Sequence, residues 1–495
     1  MKKIICFLLA LIFLTSCGSF GNKNSNVNTN ELIFFKGENR EVRNKKLIED
    51  LEHFESVMLE KHQKEYRYIT DEDFKNRIKE LKSNIDNISD SEFVVEIQRI
   101  MSYFKEGHLS FLNPSQAILP FYLKTFDDGT YIIGIEKEYE EYNFSKVKSI
   151  NGIKIKDIRE KAKEIISGDN KYNIDYWVDY YITDLDYLVG LKLISNVNEI
   201  NVAIEKDKKE FNVKFKPKIN RDVKTEKSEY SKTEEFKKNK ENYKKSILKL
   251  IEKSSGKERE KLENDFKKID NLEFVTYNYI GKSFLEIDNI PYKMNPTQSY
   301  TFETFPKSNA MVLHYNKCFS EEHKPFDKFS AEFFNYIRDN KGLLKINNII
   351  IDLRYNEGGS ETVFLSFLDE LEKYEKENKN LKIHILVGRN TFSAGTSVVY
   401  SLKKKFKDAT IYGEPLAGGI YSSGNVTQDI LPNSKLIFSY GQNFFDNTKD
   451  NKDLFTEKEI KENVLIPNEI LKPTIKDYID NRDYVLEEIL NRMKK

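Results

Sequence analysis

The stretch Asn347-Asn348-Ile349-Ile350-Ile351-Asp352-Leu353-Arg354-Tyr355-Asn356-Glu357-Gly358-Gly359-Ser360 decides how this chain is read. Ile349 to Leu353 is short, β-branched and almost uninterrupted, the pattern of a strand covered on both faces. Gly358 and Gly359 free the backbone to turn tightly and leave amide N–H groups uncovered by side chains. Val363, Phe364, Phe367, Leu368 and Leu371 then recur at three- and four-residue steps, which predicts a helix directly after the turn. Strand, glycine turn and helix in succession are how an α/β protein presents backbone donors to a negative charge.

A second strand, turn and helix comes next in Ile383-His384-Ile385-Leu386-Val387-Gly388-Arg389-Asn390-Thr391-Phe392-Ser393-Ala394-Gly395-Thr396-Ser397. Ser393 stands at its corner. Taken alone, such a serine caps the helix that begins near Ala394. The pairing of the two turns changes that reading. IIIDLRYNEGG, then NTFSAGTS, then YGEPLAGG at 412–419 resembles the tail-specific (C-terminal-processing) serine peptidase family, which includes the tricorn core proteases. The resemblance implies that Ser393 is the nucleophile. It implies an oxyanion hole made by the amide of Ala394 and one from Gly358 or Gly359. It also implies a crotonase-like ββα spiral catalytic domain, preceded by a helical region and a PDZ-like α+β module.

Upstream, amphipathic helices are predicted over about 44–65, 71–86 and 91–104, the last two opening on Thr70-Asp71 and Ser89-Asp90-Ser91 caps. Gly107 reads as the stop of the third helix, and His108 comes directly after it. A histidine in that place is ordinarily a surface or capping residue. The family carries a Gly-His-Thr-like element just after such helices, so the resemblance makes His108 the general base, as in some of its branches. Many members instead use a lysine about 25 residues after the nucleophile, where this chain has Gly418; Lys403 to Lys405 lie on the helix after Ser393. Glu462 is the nearest candidate for the late glutamate of tricorn-like members. A histidine base of ordinary pKa predicts an acid limb near pH 6–7.

Six segments are expected: a lipoprotein signal at 1–17, a flexible Asn/Ser/Gly-rich tether at 18–43, the helical region at 44–118, the PDZ-like module at 119–217, a Lys/Glu-rich helical insertion at 218–271, and the catalytic domain at 272–495. Short alternating strands around Tyr131–Ile135, Val147–Ile155, Ile200–Ile204 and Phe211–Phe215 mark the module, with a helical insertion near 157–195. A PDZ-like domain binds peptide by adding it to a sheet edge. Met1-Lys2-Lys3 and the apolar run Ile4 to Leu14 make a secretory signal. Leu14-Thr15-Ser16-Cys17 resembles the bacterial lipobox, which makes Cys17 the lipidated mature N-terminus and places the protein in the cell envelope, outside the cytoplasm and held at a bacterial membrane.

Composition narrows the alternatives. Lys+Arg and Asp+Glu number 80 each, so no overall field draws nucleic acid. With Cys6 removed and Cys17 acylated, Cys318 has no disulfide partner and reads as a buried structural residue. No HExxH, paired CxxC or phosphate-binding glycine loop occurs, so neither a metal nor a cofactor is expected. The expected partners are a protein or peptide substrate and, through the lipid, a membrane. The rival expectation is a non-catalytic lipoprotein that binds peptides or hydrophobic ligands on the same fold. Oligomeric state is not readable.

Overall fold

The computed structural model describes residues 32–65, 68–112, 116–219, 285–291, 296–449 and 452–494, with only scattered positions between 220 and 284. The chain is a mixed α/β protein. Its centre is a six-stranded sheet in the order 300–305, 310–315, 348–352, 382–387, 410–413, 469–470, antiparallel at the first pair and parallel thereafter.

The apolar run at 349–353 explains why this sheet lies at the centre. Alternate residues point to opposite sides of a strand, and both sides here are covered. Met311, Leu313, Ile349 and Ile351 join Phe329, Phe333, Phe367 and Val399, from helices Phe326–Asp339, Leu365–Glu377 and Ala394–Lys405, in one core. Val312, Ile350 and Leu386 join Val485, Leu486 and Ile489 of the C-terminal helix Tyr484–Met493 in another. Each such side chain contributes about 1.5–3 kcal/mol. Arg354, just past the central strand, fastens that last helix: its guanidinium bonds Asp352 Oδ2 at 2.6 Å and Asp483 Oδ2 at 2.6 Å, and Asp483 also caps Leu486.

The N-terminal helices run Arg40–Glu60, Asp71–Ser83 and Asp90–Ser102. The first begins earlier than the 44–65 expected, because Asn39 caps it through Val42 N–H, and it ends earlier, at Glu60. The third opens on the expected capping box of Ser89 and Glu92. It closes at Tyr103, not at Gly107; Gly107 answers to a packing demand instead, because a Cβ there would strike the Phe392 ring.

An antiparallel sheet comes next, in the order 121–126, 129–135, 146–150, 200–206, 209–215, with helices Ile155–Lys163, Lys171–Tyr181 and Leu185–Gly190 between its third and fourth strands. This sheet and the N-terminal helices share one continuous core, which also takes in Leu431, Leu436, Phe438 and Tyr440 from far down the chain. Those residues belong to a hairpin, Tyr421–Ile430 with Ile437–Asp446, whose second strand pairs with Ser110–Phe111. Cys17, the signal and most of the tether, and most of the charged insertion at 218–271, lie outside the described residues. Among the described residues no helix is long and apolar enough to cross a membrane.

Candidate functional site

Both turns singled out in the sequence meet at the carboxyl ends of neighbouring parallel strands, 348–352 and 382–387. Asn356 joins them. Its side chain is wholly buried, donates to Tyr315 O at 2.8 Å and accepts from Gly358 N–H at 3.0 Å, while its carbonyl accepts from Phe392 N–H at 3.0 Å. Thr391 adds a second tie, donating from Oγ1 to Leu353 O at 2.7 Å and accepting Gly388 N–H at 2.9 Å.

Ser393 sits at φ 51°, ψ −128°, and its side chain makes no capping bond to the helix it precedes. A non-glycine residue at positive φ is a strained position, held only when its surroundings dictate it. Ser393 therefore spends its hydroxyl on nothing local. Gly358, at φ +112°, lies so close that a Cβ there would stand 2.7 Å from Ser393 Cβ and 3.0 Å from Ala394 N. The Gly358 amide is committed to Asn356. Those of Gly359, the next residue, and of Ala394 at the corner have no acceptor among the described residues. Gly359 is fixed from behind by Cys318, which donates to Gly358 O at 2.9 Å and accepts from Ser360 N–H at 2.8 Å. Cys318 is buried, its Sγ lies 3.3 Å from Asn356 Oδ1, and burial pushes its thiol up to about 12, so it is a packing residue and not a nucleophile at neutral pH.

His108 reaches this corner from the other end of the chain. Its ring lies on the Phe392 ring with centroids 4.6 Å apart, one residue from Ser393. His108 and Ser393 are not directly hydrogen-bonded. The histidine Nδ1 is buried without a partner among the described residues, and burial pushes the ring's pKa down to about 4, a backbone contact from Ser423 opposing this only in part. The ring is thus neutral throughout the physiological range, and the ordinary value of 6.5 assumed from sequence does not hold. Its backbone is pinned on both sides: Ser439 Oγ donates to His108 O at 2.7 Å, and Gly107 N–H donates to Asp169 Oδ1 at 2.7 Å.

The other residues marked in the sequence lie elsewhere. Gly418 packs against Thr396 so tightly that any side chain there would collide. Lys405 pairs with Glu372, and Lys403 covers the Phe455 ring at 5.6 Å, so neither reaches Ser393. Glu462 pairs with Lys171 at 3.3 Å on the surface. His314 belongs to the Asp352–Arg354 network, which, against the effect of burial, holds its pKa up at about 9. Three residues escaped the sequence reading: Asn356, Asp169 and Ser439. Asn356 lies within the stretch quoted at the outset and its immediate glycine neighbours were the available signal; the other two carry none.

No protein-family model and no curated protein matches this sequence. Solved structures do. Mature CPAF complexed with lactacystin superposes with a TM-score of 0.57 at 11% identity, covering 92% of this chain and 98% of that one. Mature CPAF gives 0.54 at 12% identity, over 92% and 97%. The photosystem II D1 C-terminal processing protease aligns over 91% and 97% at 9% identity with a TM-score of 0.36. CPAF and the D1 protease, with tricorn protease as a further neighbour, are members of the tail-specific peptidase family. The shared feature carried by the CPAF match is the fold.

Proposed function

We propose that this chain is a serine peptidase that cleaves peptide bonds through an acyl-enzyme on Ser393, with His108 as general base and the amides of Gly359 and Ala394 as the oxyanion hole. The observation that carries the reading is the strained, uncapped Ser393 set against two unengaged amides at the end of a buried parallel strand. Its hydroxyl oxygen would attack the substrate carbonyl as the proton passes to His108, and the resulting oxyanion would take the two N–H donors. Collapse breaks the C–N bond, His108 returning the proton to the leaving amine. Water then repeats the sequence to release the acid. One oxyanion donor is worth about 100- to 1,000-fold. The Gly358 amide is assigned no part, since Asn356 already holds it.

A neutral His108 suits a base, and its low pKa keeps it available well into the acid range. In this reading the parallel-sheet half is the crotonase-like catalytic domain, the antiparallel sheet at 121–215 is the PDZ-like module that receives peptide, and Cys17 is the lipid anchor that holds the enzyme at a bacterial membrane, outside the cytoplasm. CPAF, of like fold, lends the peptidase assignment its support. The lack of a direct Ser393–His108 hydrogen bond favours a second reading, a binding protein on the same fold; catalytic hydrogen bonds in unliganded sites are, however, often loose.

A fluorophosphonate probe separates the two. The wild type should label at Ser393, and Ser393→Ala should lose labelling and at least about 10,000-fold of peptide hydrolysis while its melting temperature stays close to wild type. Equal labelling of both proteins would overturn the assignment of the nucleophile. Release of Cys17→Ala from membranes tests the anchor separately.

A further inference from the structure

We infer that Asp169 is a positioning residue: it holds the His108 loop and the loop between strands 410–413 and 421–430 together, and its proton state governs how well His108 is aligned. The inference rests on the peptidase reading only for its effect on catalysis; the clamp itself is a matter of geometry.

Asp169 lies in the turn between helices Ile155–Lys163 and Lys171–Tyr181, 5% exposed. One carboxylate oxygen accepts Gly107 N–H at 2.7 Å and the other accepts Gly419 N–H at 3.0 Å. Gly107 is the residue before His108. Gly419 is next to Gly418, whose own amide donates to Thr391 O at 3.2 Å beside the serine corner. One side chain thereby joins its own turn to segments that are 62 and 250 residues from it. Its neighbour Asn170 reinforces the same joint, donating to Ala417 O at 3.0 Å and Asn463 O at 3.1 Å, and Asn463 Nδ2 returns a bond to Asp169 O at 2.9 Å.

A carboxylate so placed serves two N–H donors best when ionised, since protonation makes one oxygen a donor and leaves it a much weaker acceptor. Yet no cation pairs with it among the described residues. The groups that face it are Glu106 on the histidine loop, which itself meets His62 Nε2 at 2.9 Å and accepts from Gln63 Nε2 at 2.7 Å, the Tyr68 hydroxyl beyond the first helix, and the Tyr400 hydroxyl on the Ser393 helix, itself near Glu459; Lys171 on its own segment turns outward to Glu462. Burial, and to a lesser degree the charge of Glu106, push its pKa up to about 7, while the two amide bonds pull the other way. Near neutrality the clamp is therefore poised between its two states. The folded-state pKa is raised, so ionisation is unfavourable to the fold: stability is greatest with the proton on and is lost as pH rises through about 7, whereas alignment is gained over the same range.

The test measures probe labelling of Ser393 in the full chain from pH 4.5 to 9, for the wild type, Asp169→Asn and Glu106→Gln, with hydrogen exchange of peptides covering Gly107 and Gly419 at pH 8. The wild type should show a one-proton fall centred near pH 7. Asp169→Asn should label more slowly at pH 8 and lack that fall, and exchange should quicken in both loops. Glu106→Gln, which removes the neighbouring charge, should move the fall to lower pH. Unchanged exchange at both loops in a folded Asp169→Asn, or a fall near pH 7 that persists in it, overturns the inference. If Asp169→Asn does not fold, a fall that Glu106→Gln leaves in place does so. Loosened loops in a protein whose Ser393 never labels would uphold the clamp and sink the peptidase reading; normal labelling with unmoved loops would do the reverse.

Discussion

The serine corner and the histidine loop meet at one point, but they are held there in opposite ways. Ser393 is positioned by its own neighbourhood: the strand before it, the helix after it, and the adjacent strand's turn through Asn356, Thr391 and Gly358. His108 has no such frame. The last N-terminal helix ends at Ser102, and the loop beyond it is placed by Asp169, Ser439 and the Phe392 ring. On the proposed reading Ser393 is a nucleophile at a strained φ, a position that persists only with rigid local support. A base has only to be delivered, and a few distant bonds suffice.

The sharpest test of that difference is His108→Ala, which should cut hydrolysis about 100- to 10,000-fold while the melting temperature and the integrity of the serine corner survive. Near-full activity in a steady-state assay would break the pairing of the two regions altogether. Gly358→Ala should act on the other side. At φ +112° and against Ser393 Cβ, the new methyl has to displace the corner, and a shift of about 1 Å there costs about 100-fold in rate. It should also lower the melting temperature, which His108→Ala should not; calorimetry on the two variants distinguishes a rigid corner from a delivered base. The smallest effect belongs to Ser439→Ala. Removing one hydrogen bond to the His108 carbonyl is worth about 0.5–1.5 kcal/mol, hence a fall of about 2- to 10-fold in kcat/KM with probe labelling still detectable. A loss as large as that of His108→Ala would mean that the loop is far less supported elsewhere than Asp169 and Phe392 imply.

The same division governs how much is legible in the sequence. The corner is legible because its determinants are contiguous: an apolar run, paired glycines and a serine before a helix are patterns within about 15 residues. The N-terminal helices are legible by periodicity, with errors of a few residues at their ends. The hairpin at 421–446 is only half visible. Its second strand can be anticipated near 435–440, but Tyr421-Ser422-Ser423-Gly424-Asn425-Val426-Thr427-Gln428-Asp429-Ile430 is polar and largely half-buried, and gives no alternation to find. Asp169 and Ser439 are invisible for a related reason. A polar residue in a turn or strand acquires its meaning from a partner 62 or 331 positions away, and no local spacing encodes that. The pKa of His108 is misjudged from sequence likewise, since its burial beside Phe392 is a tertiary event.

The strand pairing of Ser110–Phe111 with Ile437–Asp446 also sets an order of events as the chain folds. The histidine is made first, the serine about 285 residues later, and the strand that seats the histidine later still. Closing the 331-residue span to Ser439 costs only about 1.5 kcal/mol more than closing the 62-residue span to Asp169, because the cost rises with the logarithm of length. The long closure therefore weakens the finished molecule little. Its consequence is timing: a partly emerged polypeptide already holds Ser393 and His108, yet on the proposed reading it stays inert until the strand at 437–446 has arrived and folded back onto Ser110–Phe111.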